Sequence, residues 1–405
     1  MKSANFLRLS GMMFLEFFVW GAWYVTVGNY MAAVGMSDAI YWAYTVGPIG
    51  AIVSPFFLGM VADRFFSTEK VLGVLHIIGG IAMVLAPIAA NAGEAGIFIL
   101  LLLVHMLCYM PTIGLVNALA FHHMSDQEKY FPIVRVFGTI GWIVAGVLVS
   151  MVLGADKTDV PLRVAGGAGL LMGVYAFFLP HTPPAAKKAV TFREVAGIDA
   201  LGKLYSPSFL VFIIGSFLIC IPLSAYYAYA PVYVSASGVE NPAFRMSFGQ
   251  MSEAVFILLM PLFFRWMGIK WMLVVGMLAW VLRYVLFALA APASVVWMIM
   301  GGIVLHGICY DFFFVAGQIY VDKISTPAIR GQAQGFLVLM TYGIGMLIGA
   351  LISGWIHNGM ITADGGMAQW QNFWAIPAVI AGVILVVFAL FFKNSTPAIA
   401  DTTNG

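Results

Sequence analysis

Twelve stretches of this chain are apolar for about 20 residues each, the length a helix needs to cross a bilayer. They fall at 9–33, 40–62, 71–91, 96–121, 132–153, 161–180, 208–234, 246–264, 271–291, 295–320, 332–355 and 371–392. Repeated spans of this length leave almost no choice of fold. Backbone groups in lipid must be satisfied within the segment, so the runs are helices. β-Barrel strands would alternate in short segments, and these runs do not. The charge content agrees: 9% of 405 residues are charged, against about 25% in soluble domains. A net charge of +2 leaves no basic patch for nucleic acid, and so high an apolar content excludes disorder.

Lys and Arg set the expected orientation. Fourteen of the 19 fall on the side that carries both chain ends, and three (Lys157, Arg163, Arg245) on the other. Both termini are therefore expected in the cytoplasm, in an inner-membrane, multi-pass protein. The first apolar run is read as a retained span. Cys108, Cys220 and Cys309 all lie in apolar stretches without a CxxC pair, which predicts buried thiols and no metal site. The longest polar stretch, 181–207, divides the chain into an N-terminal half (1–180), a linker, a C-terminal half (208–393) and a tail (394–405).

The two halves repeat each other. His105-x-x-Cys108-Tyr109 recurs as His306-x-x-Cys309-Tyr310, and Arg64 with Lys70 as Arg265 with Lys270. Phe14-Leu15 with Gly21-Ala22-Trp23-Tyr24 recurs as Phe217-Leu218 with Ser224-Ala225-Tyr226-Tyr227, and Pro132-x-x-Arg135 as Pro327-x-x-Arg330. A duplicated six-helix unit in parallel is the plan of the major facilitator fold: twelve helices, all α, with the substrate site between the halves. The loop from Gly59 to Lys70 fits the G-x-x-x-D-R pattern of that superfamily, and Asp63 and Arg64 are read as a gate latch. An ordinary positive-inside loop is the plainer alternative.

Ionisable residues within spans are costly and point to function. Five stand out: Glu16, Arg135, Glu253, Arg283 and Asp311. By the repeat, Glu253 corresponds to Ile52 and Asp311 to Met110, so neither acid belongs to the duplicated frame. Gln250 and Glu253 share a helix face, and Arg135, Thr139 and Trp142 form one stripe. With Tyr310, this set suits a polar, uncharged ligand with a flat ring. Buried ion pairing is the alternative for the acids, and helix packing for Trp142 and Tyr310. His76, His105 and single polar residues such as Asn29 and Asn117 read as hydrogen-bonded fillers. No catalytic constellation or nucleotide-binding loop is present, so the chain reads as a gradient-driven transporter with no cofactor, and not as an enzyme.

In these motifs the chain resembles the nucleoside–proton symporter family, the NupG-type permeases, and most of all its YegT-type branch. The likeness is carried by Trp20-Gly21-Ala22-Trp23, the Gly59–Lys70 loop, Tyr109-Met110-Pro111-Thr112 with Asn117, and Phe131-Pro132-Ile133-Val134-Arg135 with Gly138-Thr139-Ile140-Gly141. It continues in Gln250 with Ser252-Glu253, Pro261, Gly268-Ile269-Lys270, Tyr310-Asp311-Phe312, and Pro327-Ala328-Ile329-Arg330 with Ala333-Gln334-Gly335. The resemblance implies nucleoside binding at Arg135, Thr139, Gln250, Glu253 and Asp311. It adds Trp142, Tyr310 and His306, each a changed ring residue, and Ser224 and Tyr227 where the family has two amides. It implies proton-coupled nucleoside import across the lipid bilayer. Of the two acids, Asp311 is read as the proton carrier and Glu253, with Gln250, as the ligand partner and second coupling residue, in a monomer. Uptake of another polar ring compound, a sugar or nucleobase, and a non-transporting receptor remain as alternatives.

Overall fold

The computed structural model describes residues 3–57, 66–184, 197, 202–326, 329–362 and 365–393. These residues form helices, with no strand among them. We number them α1 (Asn5–Ala33), α2 (Ile40–Phe57), α3 (Thr68–Asn91), α4 (Ala95–His122), α5 (Lys129–Val152) and α6 (Val160–Ala176). After residue 202 come α7 (Pro207–Ala236), α8 (Pro242–Ala290), α9 (Val296–Ile324), α10 (Arg330–Met360) and α11 (Ala368–Phe391). Nine of the described helices are long and apolar enough to cross a membrane, and α2 and α6 are shorter. The expected gate residues Asp63 and Arg64 lie outside the described residues.

Local chemistry explains several boundaries. Ser206 caps α7 by accepting a hydrogen bond from the Phe209 amide at 3.2 Å, with Pro207 behind it at the first helical position. Asp126 caps the turn that opens α5, accepting from the Lys129 amide at 3.0 Å. Both are standard N-cap solutions for orphan amides. The expected loop at 265–270 is not a separate loop. The helical assignment runs through all 49 residues of α8 and is broken only at Gly268, with φ 67° and ψ 176°. Forty-nine residues at about 1.5 Å each far exceed a bilayer, and a left-handed φ is open to glycine at little cost. The chain therefore turns at Gly268, and α8 supplies two spans.

Before residue 180, α1 packs on α5 and α6, and α3 lies between α4 and α6. After residue 202, α7 packs on α10 and α11, and α8 on α9 and α11. The repeat seen in sequence recurs as packing. Trp23 meets His105 edge-on at 5.7 Å, and His105 stacks on Tyr109 at 5.6 Å. In the second group Tyr226 stacks on His306 at 5.4 Å, and His306 leans on Tyr310 at 5.7 Å. The repeat-related Tyr24 and Tyr227 meet each other across the groups at 5.9 Å.

The groups are tied at the face opposite the chain ends. There Asn29 Nδ2 donates to the Pro231 carbonyl at 3.2 Å, and Asn358 Nδ2 to the Asp38 carbonyl at 2.8 Å. The Ala243 amide, at the start of α8, donates to Asp156 Oδ1 at 2.9 Å, so a carboxylate from one group caps a helix of the other. Asp156 also accepts from Ser150 Oγ at 2.7 Å. Burial pushes the Asp156 carboxyl above the ordinary carboxylate range, against the pull of these hydrogen bonds.

Candidate functional site

The site forms where α5 of the first group faces α7, α8, α9 and α10 of the second. Close helix approach sets it up on both sides. At Gly141 of α5 a Cβ would stand 2.2 Å from the Phe14 carbonyl oxygen of α1. Only hydrogen fits there, so α5 lies flat on α1 and presents Arg135, Thr139 and Trp142 along one stripe. The Arg135 guanidinium lies 4.1 Å from the centre of the Phe17 ring, a cation–π contact. Trp142 packs edge-on against Trp20 at 5.5 Å and Tyr24 at 6.4 Å.

On the other side Gly307 of α9 touches α8, where a Cβ would come within 2.6 Å of Ser252. Ser252 Oγ bonds the Val304 carbonyl at 2.6 Å and locks this contact. The approach brings Glu253 of α8 to His306 of α9, with Oε2 3.8 Å from Nε2. That separation is longer than a hydrogen bond. His306 is buried, and Nδ1 has no hydrogen-bond partner among the described residues. Glu253 and Tyr310 both act electrostatically on Arg135 from across the groups. Gln250 lies one turn before Glu253 and, like it, is half-buried.

Asp311 differs from Glu253. It is fully buried, and neither carboxylate oxygen has a hydrogen-bond partner among the described residues. It opens a wide π-helical segment, Asp311–Val315, inside α9. Such segments arise where an extra residue is accommodated in a helix, and they concentrate at functional sites. A second one, Leu339–Gly345, interrupts α10 opposite it. Across this gap the Tyr310 and Tyr342 hydroxyls are hydrogen-bonded to each other.

The structure thus links Arg135, Trp142, Tyr227, Glu253, His306, Tyr310 and Asp311, with Thr139 and Gln250 on the same helix stripes as Arg135 and Glu253. Ser224 is placed differently. It is buried, and its hydroxyl donates to the Cys220 carbonyl at 2.9 Å or the Met346 carbonyl at 3.1 Å. That group is used in packing α7 on α10. Glu16 is also engaged elsewhere: its carboxylate meets His76 Nε2 at 2.8 Å and accepts from Thr112 Oγ1 at 2.6 Å. Arg283 is fully buried beneath the Tyr226 ring at 4.0 Å, and its Nε donates to the Gly302 carbonyl at 2.9 Å. Sequence reasoning passed over Tyr342, Phe17 and Asp156. Tyr342 and Phe17 are aromatics among many in apolar helices, and nothing in their spacing marks them. Asp156, in a predicted loop, carries no helical pattern.

The sequence profile described as nucleoside H+ symporter matches residues 3–397. The putative nucleoside transporter YegT of Escherichia coli K12 is 39% identical over 401 residues, covering 96% of this chain and 94% of that one. The nucleoside permease NupG of the same organism is 32% identical over 406 residues, covering 96% of each. Its xanthosine permease is 31% identical, again covering 96% of each. A crystal structure of the nucleoside transporter NupG superposes with a TM-score of 0.87 at 29% identity, covering 96% of this chain and 100% of that one.

Proposed function

This chain belongs to the nucleoside H+ symporter family, and from that premise we propose how its own residues bind the nucleoside and carry the proton. It is a multi-pass membrane transporter of the major facilitator type that moves nucleosides with protons. The reading for this chain is import across the inner membrane, with both termini cytoplasmic and the two helix groups rocking about the central site.

One observation supports the division of labour: the two acids of the second group have different surroundings. Glu253 is half-buried, faces the space between the groups, has the Arg135 cation as an electrostatic partner, and lies 3.8 Å from the His306 ring. A carboxylate so placed accepts hydrogen bonds from hydroxyl or ring N–H groups of a nucleoside. Gln250, Thr139 and Arg135 supply further donors, and Trp142 and Tyr227 supply faces for the base. Asp311 is fully buried, and neither carboxylate oxygen has a hydrogen-bond partner among the described residues. An unpartnered carboxylate away from water costs least when neutral, so it holds a proton well in this state and releases it once it meets water or a cation. Each proton moving inward gains about 2.3 kcal/mol per 100 mV of membrane potential.

The ties at the far face hold that side together, and in the proposed rocking cycle they belong to the state that delivers nucleoside and proton to the cytoplasm. Symmetric release would need those ties to break and new ones to form at the other face. Uptake of labelled nucleoside into proteoliposomes, with and without an imposed inward proton gradient, tests the reading. Accumulation above the outside concentration only with the gradient is the expected result. Equilibration that ignores the gradient would contradict proton coupling. Competition by free bases and sugars separates nucleoside transport from that of other ring compounds.

A further inference from the structure

We propose that Tyr310 and Tyr342 together form a subsite that reads the vicinal hydroxyls of the sugar, making the transporter selective for ribonucleosides over their deoxy counterparts. This inference rests on the nucleoside reading above and specifies which part of the nucleoside meets α9 and α10.

The placement of Tyr342 carries it. Tyr342 sits within the wide segment Leu339–Gly345 of α10, and Tyr310 immediately precedes the wide segment Asp311–Val315 of α9. Each tyrosine stands at a wide turn and is less buried than the residues on either side of it that pack against neighbouring helices. The neighbours show it: Thr341, Gly343, Cys309 and Asp311 are buried, while Tyr310 and Tyr342 are half-buried. The opening is toward the space between the groups and not toward lipid. Tyr227, Glu253 and Arg135 all act electrostatically on this pair, and Gly343, the residue after Tyr342, lies against Ile52 of the first group.

The rings are fixed and only the oxygens are left for recognition. Tyr310 packs at 5.7 Å from His306 and 5.4 Å from Phe314, and Tyr342 at 5.7 Å from Phe314. Their hydroxyls bond each other, and no other hydrogen bond holds either one among the described residues. Within such a pair one O–H is donated and the other is left over. The pair therefore offers one free donor and spare lone pairs on two adjacent oxygens. A cis-diol offers the complementary set on two adjacent oxygens of its own. A sugar lacking one of those hydroxyls leaves a phenol unpaired, which is how a site built for hydroxyls rejects the analogue without them.

The test uses the full chain in proteoliposomes, with uridine, 2′-deoxyuridine and 3′-deoxyuridine competing for labelled uridine uptake. Wild type is expected to prefer uridine by about tenfold. Tyr342→Phe and Tyr310→Phe, which each remove one oxygen and keep the ring, are expected to bring that ratio to within about twofold, with thermal melting little changed. A wild type that ignores the sugar hydroxyls overturns the subsite, as do variants that weaken all three ligands equally. If neither variant can be recovered folded, the pair is a structural tie and the proposal fails. Absence of uptake of every member of a panel of pyrimidine and purine nucleosides by wild type would overturn the nucleoside reading itself, a different result from any of these.

Discussion

The two helix groups share one frame yet treat buried charge in opposite ways. In the first, Glu16 is fully buried and satisfied: His76 and Thr112 bond its carboxylate, and the Tyr109 hydroxyl donates to its carbonyl at 2.7 Å. The repeat places Ile219 and Phe313 at the positions of Glu16 and Thr112, and both are buried and apolar. In the second group the charge sits elsewhere, at Glu253 and Asp311, where the first group has Ile52 and Met110. There neither Asp311 oxygen has a hydrogen-bond partner among the described residues, and Glu253 has the Arg135 charge and the His306 ring, 3.8 Å away, near it. Burial alone therefore does not mark the working acid. A satisfied buried carboxylate stabilises a scaffold, and an unsatisfied one is available for exchange.

That contrast can be broken by substitution, and the largest effect is expected at Asp311. Asp311→Asn should abolish accumulation, a loss of about 100-fold or more in gradient-driven uptake, while counterflow exchange of nucleoside continues. A mutant that still accumulates would place the exchanging proton elsewhere. Glu253→Gln should cost about tenfold to 100-fold in nucleoside affinity, read by binding calorimetry, because a charged acceptor is replaced by a neutral one.

Glu16 should behave as the other kind of acid. Glu16→Ala strands the His76 and Thr112 polar groups and should lower stability by about 1–3 kcal/mol, read as a drop in melting temperature. Glu16→Gln keeps an acceptor for Thr112 and should leave coupling intact. A Gln variant that is stable but uncoupled would move Glu16 from the scaffold to the mechanism.

The smallest effect is expected at Asp156, where the groups are tied. Its carboxyl is raised by burial in this state, so the closed far face binds a proton more readily than an open one would. Closure is therefore strongest below the ordinary Asp value, near 4, and weakens as pH rises through the raised value. Asp156→Asn keeps one acceptor and one donor for Ala243 and Ser150 and should flatten this dependence. Cysteine cross-linking across the far face at a series of pH values would read it, and an unchanged profile would remove Asp156 from the gate.

The helical architecture was legible because lipid imposes a length and a composition on each span. The acids were legible because ionisable groups are rare there, and the repeat separated them from the frame. Three things could not be read. The break at Gly268 needs only one backbone angle, and the surrounding residues read as loop. The wide segments at 311–315 and 339–345 have the same apolar composition as ordinary helix, so the role of Tyr342 stayed hidden. Ser224 aligned with a binding position, but its hydroxyl is spent on carbonyls of α7 and α10, which only the packing reveals.

Coupling is assigned to Asp311, whose carboxylate has no hydrogen-bond partner among the described residues. Simultaneous measurement of proton and nucleoside flux in proteoliposomes tests it most directly, with wild type and Asp311→Asn side by side. Wild type is expected to move protons in step with nucleoside, and the variant to exchange nucleoside without net proton movement. Proton movement at the wild-type ratio in Asp311→Asn would contradict it.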